Sequence, residues 1–512
     1  MKGSNDLFQL IKSLSKTERR YFKLYTAKYK SKRKNNYLKL FEAISKQDEY
    51  DEEEIKKVFN KTTIVKNLSM EKNYLYGILL DSLTSFHSYA SIDSTIKNLL
   101  SQVEILHKKI LYNQCEKLLL RAKRLAFTYE KYPQLLEILE WEIKMGEADV
   151  LKLRPALQKN REEKRSIIKQ YANLSEYQYI HYNIFALAKE HDVVRDIKSG
   201  NELNKLFDNP LLSNANNALS HEAKLLFHNI HNSYFYAKID SLNAYKHAKE
   251  IVRIIESRPE IIERNPLQYL KTLNNFIIDC INLGKHSDAF SSIKKIRTIK
   301  QKSIDIEVRI FVMSYNYELS IYILSGEFEK SIRLINTIEQ GLKKYKGKIP
   351  SSKELSFFHA ICYNYFGIGE YKKALAWSNK ILDHEDASSR EDIYSFQKIF
   401  NLIIHFELGN LDLLEYNGVS AYRYLNKKER LHKFESVVLN SIKKMSKAIT
   451  SPNNLTTAFK ELKELLIPLS KDPLEKNSFD YFDFISWLES KITKRPFADI
   501  VKGKVGQAKV TD

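Results

Sequence analysis

The feature that most constrains this chain is a short pattern that returns at a nearly constant interval. Gly284 is followed two residues on by His286 and five on by Ala289; the same places after Gly326 hold Phe328 and Ser331. After Gly369 they hold Tyr371 and Ala374, and a weaker copy sets Leu411 and Leu414 after Gly409. The four glycines lie 42, 43 and 40 residues apart. A fixed period in that range is what stacked helical hairpins leave in a sequence. Glycine accepts the left-handed conformation that ends the first helix. The bulky residue packs back on that helix, and the small one lets the second helix approach closely. Neither helix buries its apolar stripe alone, so neighbouring hairpins must stack. The pattern predicts an all-α fold: an α-solenoid of antiparallel hairpins with a period of about 40–43, clearest over residues 265–425.

Composition agrees. Only 14 Gly and 10 Pro interrupt 512 residues, too few for the turns of an all-β or doubly wound chain of this size. The helical array is expected over 94–490, with an irregular, Asn-rich connection near 201–217. Ala244 with Tyr245, and Tyr112 with Cys115, read as degenerate copies of the turn pattern. Residues 1–93 read as a small N-terminal module of short amphipathic helices. There Ser15 and Glu18 form a capping box, and Asp51 with Glu54 repeats the spacing. Residues 491–512, where apolar periodicity gives way to Gly and Lys, read as a flexible basic tail.

A glycine followed by an aromatic residue and then a small one, at the junction of two helices, resembles the tetratricopeptide repeat. Tyr322 and Tyr365, four residues before their glycines, fall where that family has a tyrosine. The likeness is clearest over 355–382 and extends over 315–338. The period of 40–43 departs from the family's shorter one, which implies longer helices or loops. The chain is also similar to uncharacterised bacterial helical-repeat proteins of about this length, a likeness that implies no activity.

Some members of the tetratricopeptide family hold a peptide carboxylate with Lys and Asn on the first helix of each hairpin. Ten residues before the glycines this chain has Asn274, Asn316, His359 and Ile399; six before, it has Ile278, Ser320, Tyr363 and Ile403. No basic clamp results, so that ligand mode is not carried over. Asn316, Ser320, His359 and Tyr363 are the candidates to line a protein-binding groove.

The net charge is +20, which favours polyanions, although a chain this rich in Asn, Ile and Tyr also gains lysine through compositional bias. Residues 1–34 carry eleven Lys or Arg against two acids. Arg19, Arg20, Lys32, Arg33 and Lys34, interleaved with Tyr21, Phe22, Tyr25 and Tyr29, are the candidate contacts to RNA, a ribosome or DNA. The competing reading is a solvated capping module whose aromatic side chains face its core.

No catalytic constellation stands out: there is no phosphate-binding loop and no nucleophile elbow. His228 and His231 lack the spacing and the glutamate of a helical zinc site, and Glu190, His191 and Asp192 are sequence neighbours that point apart on a helix. No metal or cofactor is expected. Cys115, Cys280 and Cys362 are isolated in apolar surroundings, and neither a leader nor a transmembrane stretch is evident. A reducing, cytoplasmic setting is therefore expected. The expectation is a non-enzymatic interaction or scaffold protein that binds a protein partner, with nucleic-acid or ribosome association through the basic segment as the alternative.

Overall fold

In the computed structural model the residues described are 4–27, 34–60, 63–88, 91–147, 150–190, 203–238, 240–300, 303–448, 452–473 and 475–508, and no strand occurs among them. The fold is all-α, with successive helices packed against their neighbours in the chain. No described helix is long and apolar enough to cross a membrane. Two units separate by their internal contacts: residues 1–179 with 214–224, and residues 180–213 with 225–512.

The first unit opens with α1 (Ser4–Ser13), α2 (Lys16–Ala27), α3 (Lys34–Lys46), α4 (Glu52–Val58), α5 (Thr63–Lys66) and α6 (Leu68–Phe86). Leu7, Ile11, Phe22, Leu40, Phe41, Ile44, Ile55, Leu75 and Leu79 share one apolar core. The capping box between α1 and α2 forms as its spacing predicts. The Ser15 amide donates to Glu18 Oε2 at 2.7 Å, and the Glu18 amide donates to Ser15 Oγ at 3.2 Å. These bonds, with His87 beside the same carboxylate, hold Glu18 down at about 2. The second box is only half made. Asp51 caps α4, but Glu54 turns away to accept from the Gln47 amide at 2.8 Å. Next come α7 (Ile92–Lys108), α8 (Tyr112–Thr128), α9 (Tyr132–Gly146) and α10 (Val150–Glu190), of which α7, α8 and α9 pack each on the next.

Hairpins continue through α11 (His221–Ala237), α12 (Ser241–Glu256), α13 (Pro259–Arg264), α14 (Pro266–Asn282), α15 (His286–Thr298), α16 (Ile304–Leu324), α17 (Ser331–Lys344), α18 (Ser351–Gly367), α19 (Tyr371–Leu382), α20 (Glu391–Glu407), α21 (Leu411–Lys427), α22 (Lys433–Ala448) and α23 (Pro452–Leu469). One turn recurs. Gly284, Gly326, Gly369 and Gly409 take φ of +64°, +68°, +81° and +73°. The amide that follows each glycine donates to a carbonyl five residues back: Lys285 to Cys280 at 2.8 Å, Glu327 to Tyr322 at 2.9 Å, Glu370 to Tyr365 at 2.9 Å, Asn410 to His405 at 3.0 Å. This bond satisfies a helix carbonyl that would otherwise be orphaned. Ala289, Ser331 and Ala374, the small residues of the pattern, are at most 1 % exposed.

The same turn also forms without glycine. Ile110, Glu130 and Glu429 take φ of +61°, +50° and +55°, and the amides of Leu111, Lys131 and Arg430 close the same bond at 3.0, 2.8 and 2.9 Å. After Ile110, Tyr112 and Cys115 occupy the aromatic and small positions, and Cys115 is fully buried.

The chain's end corrects the expectation of a flexible tail over 491–512. Two further helices, α24 (Phe484–Thr493) and α25 (Phe497–Ala508), fold into the second unit. Phe482, Phe484, Trp487, Leu488, Phe497 and Val501 join the core cluster of α16–α23. Residues 509–512 lie outside the described residues.

Candidate functional site

The four candidate groove residues divide into two pairs. Asn316 and Ser320 lie on α16, partly exposed, with Ser320 Oγ donating to the Asn316 carbonyl at 2.9 Å. No partner for the Asn316 side-chain amide is found among the described residues. His359 and Tyr363, one hairpin later on α18, are already engaged by this chain's own residues 481–484. His359 Nε2 donates to the Tyr481 carbonyl at 3.1 Å, and the Asp483 amide donates to the Tyr363 hydroxyl oxygen at 2.9 Å. Tyr363 is 6 % exposed, and its ring lies 5.1 Å from Phe482 and 6.0 Å from Phe328. Burial holds the His359 imidazole below its ordinary range, and so neutral, and pushes the Tyr363 phenol up.

Neighbouring side chains complete the seat. The Tyr481 hydroxyl donates to Asp392 at 2.8 Å, and Arg390 grips the same carboxylate with Nε at 2.9 Å and Nη2 at 2.7 Å. Burial pushes Asp392 up, but the Arg390 guanidinium and the Tyr481 hydroxyl outweigh it and hold the carboxyl at about 2. Asp483 caps α24 by accepting from the Ser486 amide at 2.8 Å. Glu407, at the end of α20, accepts from Trp487 Nε1 at 2.6 Å and pairs with Lys491. The face on α18 and α20 is therefore a peptide seat, but a filled one, and His359 and Tyr363 do not line an open groove. Sequence reasoning could not join His359 to a segment some 120 residues later; the one signal was the dense aromatic run Phe479, Tyr481, Phe482 and Phe484.

The basic segment is more committed than its composition suggests. Arg19 donates from Nε to the Leu14 carbonyl and from Nη2 to the Ile11 carbonyl, both at 3.2 Å, so it closes the end of α1 and is not a free phosphate contact. Lys12 reaches the Ser45 carbonyl at 3.3 Å, and Lys23 pairs with Glu42 at 2.9 Å. Arg20 is exposed. Lys32 and Arg33 lie outside the described residues, and of Lys34, which opens α3, only the backbone is described. Phe22 is 2 % exposed in the core, whereas Tyr21 packs beside Phe86 with its hydroxyl 2.9 Å from Ser85 Oγ.

His228 and His231 meet a third imidazole. His228 Nδ1 is 3.0 Å from His247 Nδ1, and the His231 and His247 rings stack at 4.6 Å. His231 Nδ1 is taken up by the Phe227 carbonyl at 2.8 Å, while Phe207, Phe227 and Phe235 enclose the group. Burial lowers all three, and His247 reaches about 4. Among the described residues no group of three or more His, Cys, Asp or Glu is placed to hold a metal ion. His191 and Asp192 lie outside the described residues.

Neither protein-family models, nor curated proteins, nor solved structures give a match to this chain.

Proposed function

We propose that this chain is a non-enzymatic interaction protein, which binds a protein partner through surfaces of its stacked hairpins. The observation that carries the reading is the seat on α18 and α20. Helices of this array hold a segment between two helices by its main chain, at the Tyr481 carbonyl and the Asp483 amide. Asn316 and Ser320 stand one hairpin earlier, at the same distances from their glycine, and are partly exposed. An outside segment is expected there. The resemblance of the turns to tetratricopeptide hairpins supports the same reading, although a scaffold does not by itself fix a function.

The test is photo-crosslinking in an extract of the producing cell, with and without nuclease, from a crosslinker placed at Asn316 or at Arg20. A protein adduct at Asn316 that is indifferent to nuclease supports the reading. Capture through Arg20 alone that disappears with nuclease and weakens steeply with salt replaces it with polyanion docking. No adduct at either position counts against both.

A further inference from the structure

Because the turns are in register, the outward positions of the second helices can be compared. Seven and ten residues after the turn glycine, α15 presents Ser291 and Lys294, α17 presents Arg333 and Asn336, and α19 presents Ala376 and Asn379, all exposed. Three hairpins thus offer water small or polar groups. In α21 the same two positions hold Tyr416, 75 % exposed, and Val419, 46 % exposed. Leu413 and Tyr422, at 46 % and 49 %, flank them. Four large apolar side chains left in water on one helix cost solvation free energy that the sister helices avoid.

Charge indicates what covers them. Asp412, Tyr416, Val419 and Arg423 follow one line along the helix, at spacings of four, three and four. Asp412 and Arg423 are exposed, and neither has an ion-pair partner among the described residues. Turned end for end about a two-fold axis between Asn417 and Gly418, this face matches itself. Asp412 then meets Arg423 of a second copy, and Tyr416 meets Val419. Along this line the acid lands on the base and the two apolar groups land on each other. Self-complementarity of this kind is what a two-fold interface requires, and an unrelated partner does not.

We infer that a second copy of this chain docks on this face, α21 against α21, antiparallel about a two-fold axis. One helix pair buries less than the ~1,200 Å² at which stable interfaces begin, so the association is weak, on the order of micromolar. This self-association is independent of the seat on α18 and α20.

Sedimentation equilibrium of the full-length chain at low salt provides the test. Expected is a monomer–dimer equilibrium that Tyr416→Ala weakens at least about tenfold. Asp412→Arg and Arg423→Asp each set like charges opposite one another twice and weaken it by a similar factor, whereas the double variant Asp412→Arg/Arg423→Asp returns to within about threefold of the parent. All of these side chains are exposed, so the monomer fold, followed by circular dichroism, is unchanged. A chain that stays monomeric at about 100 μM, a dimer indifferent to Asp412→Arg, or a double variant that does not recover overturns the inference.

Discussion

At the scale of single residues the turns make the sharpest predictions. Ile110 is β-branched and 71 % exposed, yet it occupies the left-handed conformation that glycine fills elsewhere at φ of +64° to +81°. Its Cβ opposes the following carbonyl there, at a cost of about 1–2 kcal/mol. Ile110→Gly should therefore raise stability by about 1 kcal/mol, part of the gain being offset by unfolded-state entropy. Gly284→Ala should lower it by about the same amount, although open space surrounds the added Cβ. Urea midpoints at constant slope check both, and an unchanged midpoint for Ile110→Gly would mean the turn is not strained. Tyr363→Phe removes the acceptor of a partly buried amide and should cost about 1 kcal/mol. The turn pattern was readable where Gly284, Gly326 and Gly369 write it. At Ile110 and Glu130 the same geometry is held by residues with no preference for it, and only Tyr112 and Cys115 hinted at it.

At the scale of elements, the α11–α12 pair carries a pH dependence whose sign can be worked out. His228 and His231 of α11 and His247 of α12 face one another, with Lys246, Glu250 and Arg253 of α12 the nearest charges. Burial holds His247 at about 4, below the ~6.5 of an unfolded chain, so the fold favours the neutral imidazole. The stabilisation is complete above about 6.5 and drains as pH falls towards 4, with His247 contributing up to about 3 kcal/mol. Amide protection over residues 221–256, taken relative to the intrinsic exchange rate at each pH, should fall between pH 7 and pH 4.5, and His247→Gln should flatten that dependence. Protection that holds at pH 4.5 would contradict it. Helices with strong apolar periodicity are legible: Phe41 and Ile44, three residues apart, share the buried face of α3. The last helix is not. Gly503, Gly506 and four Lys or Arg between 494 and 504 read as tail, and its apolar contribution, Phe497 with Ile500 and Val501, is too short a pattern to outweigh them.

At the scale of the molecule, the question is whether the second unit behaves as an open array or as a closed one. In an open array each hairpin touches only its neighbours, and loss of the terminal hairpin removes one interface. Here the residues after α23 enter the core of hairpins far earlier in the chain: Phe497 stacks on Phe328 at 5.7 Å, and Phe482 lies 4.8 Å from Phe400. Phe482, Phe484, Trp487 and Leu488 are at most 1 % exposed. Burying each contributes about 1.5–3 kcal/mol, so together they approach the 5–15 kcal/mol by which a typical domain is stable. A partner in solution cannot displace such a segment without supplying equivalent groups, and for this reason an outside segment is expected at the open positions of α16 instead. Truncation after Leu469 should therefore do more than uncover a groove. It should lower the melting temperature by more than about 10 °C and broaden the transition, while exposing a surface that binds a hydrophobic dye. Adding residues 475–508 back as a separate peptide should restore part of the loss, because the seat made by His359, Tyr363, Asp392 and Glu407 remains in the truncated chain. A truncated chain that melts cooperatively within a few degrees of the parent would mean that the terminal hairpin is an appendage and that the array is open.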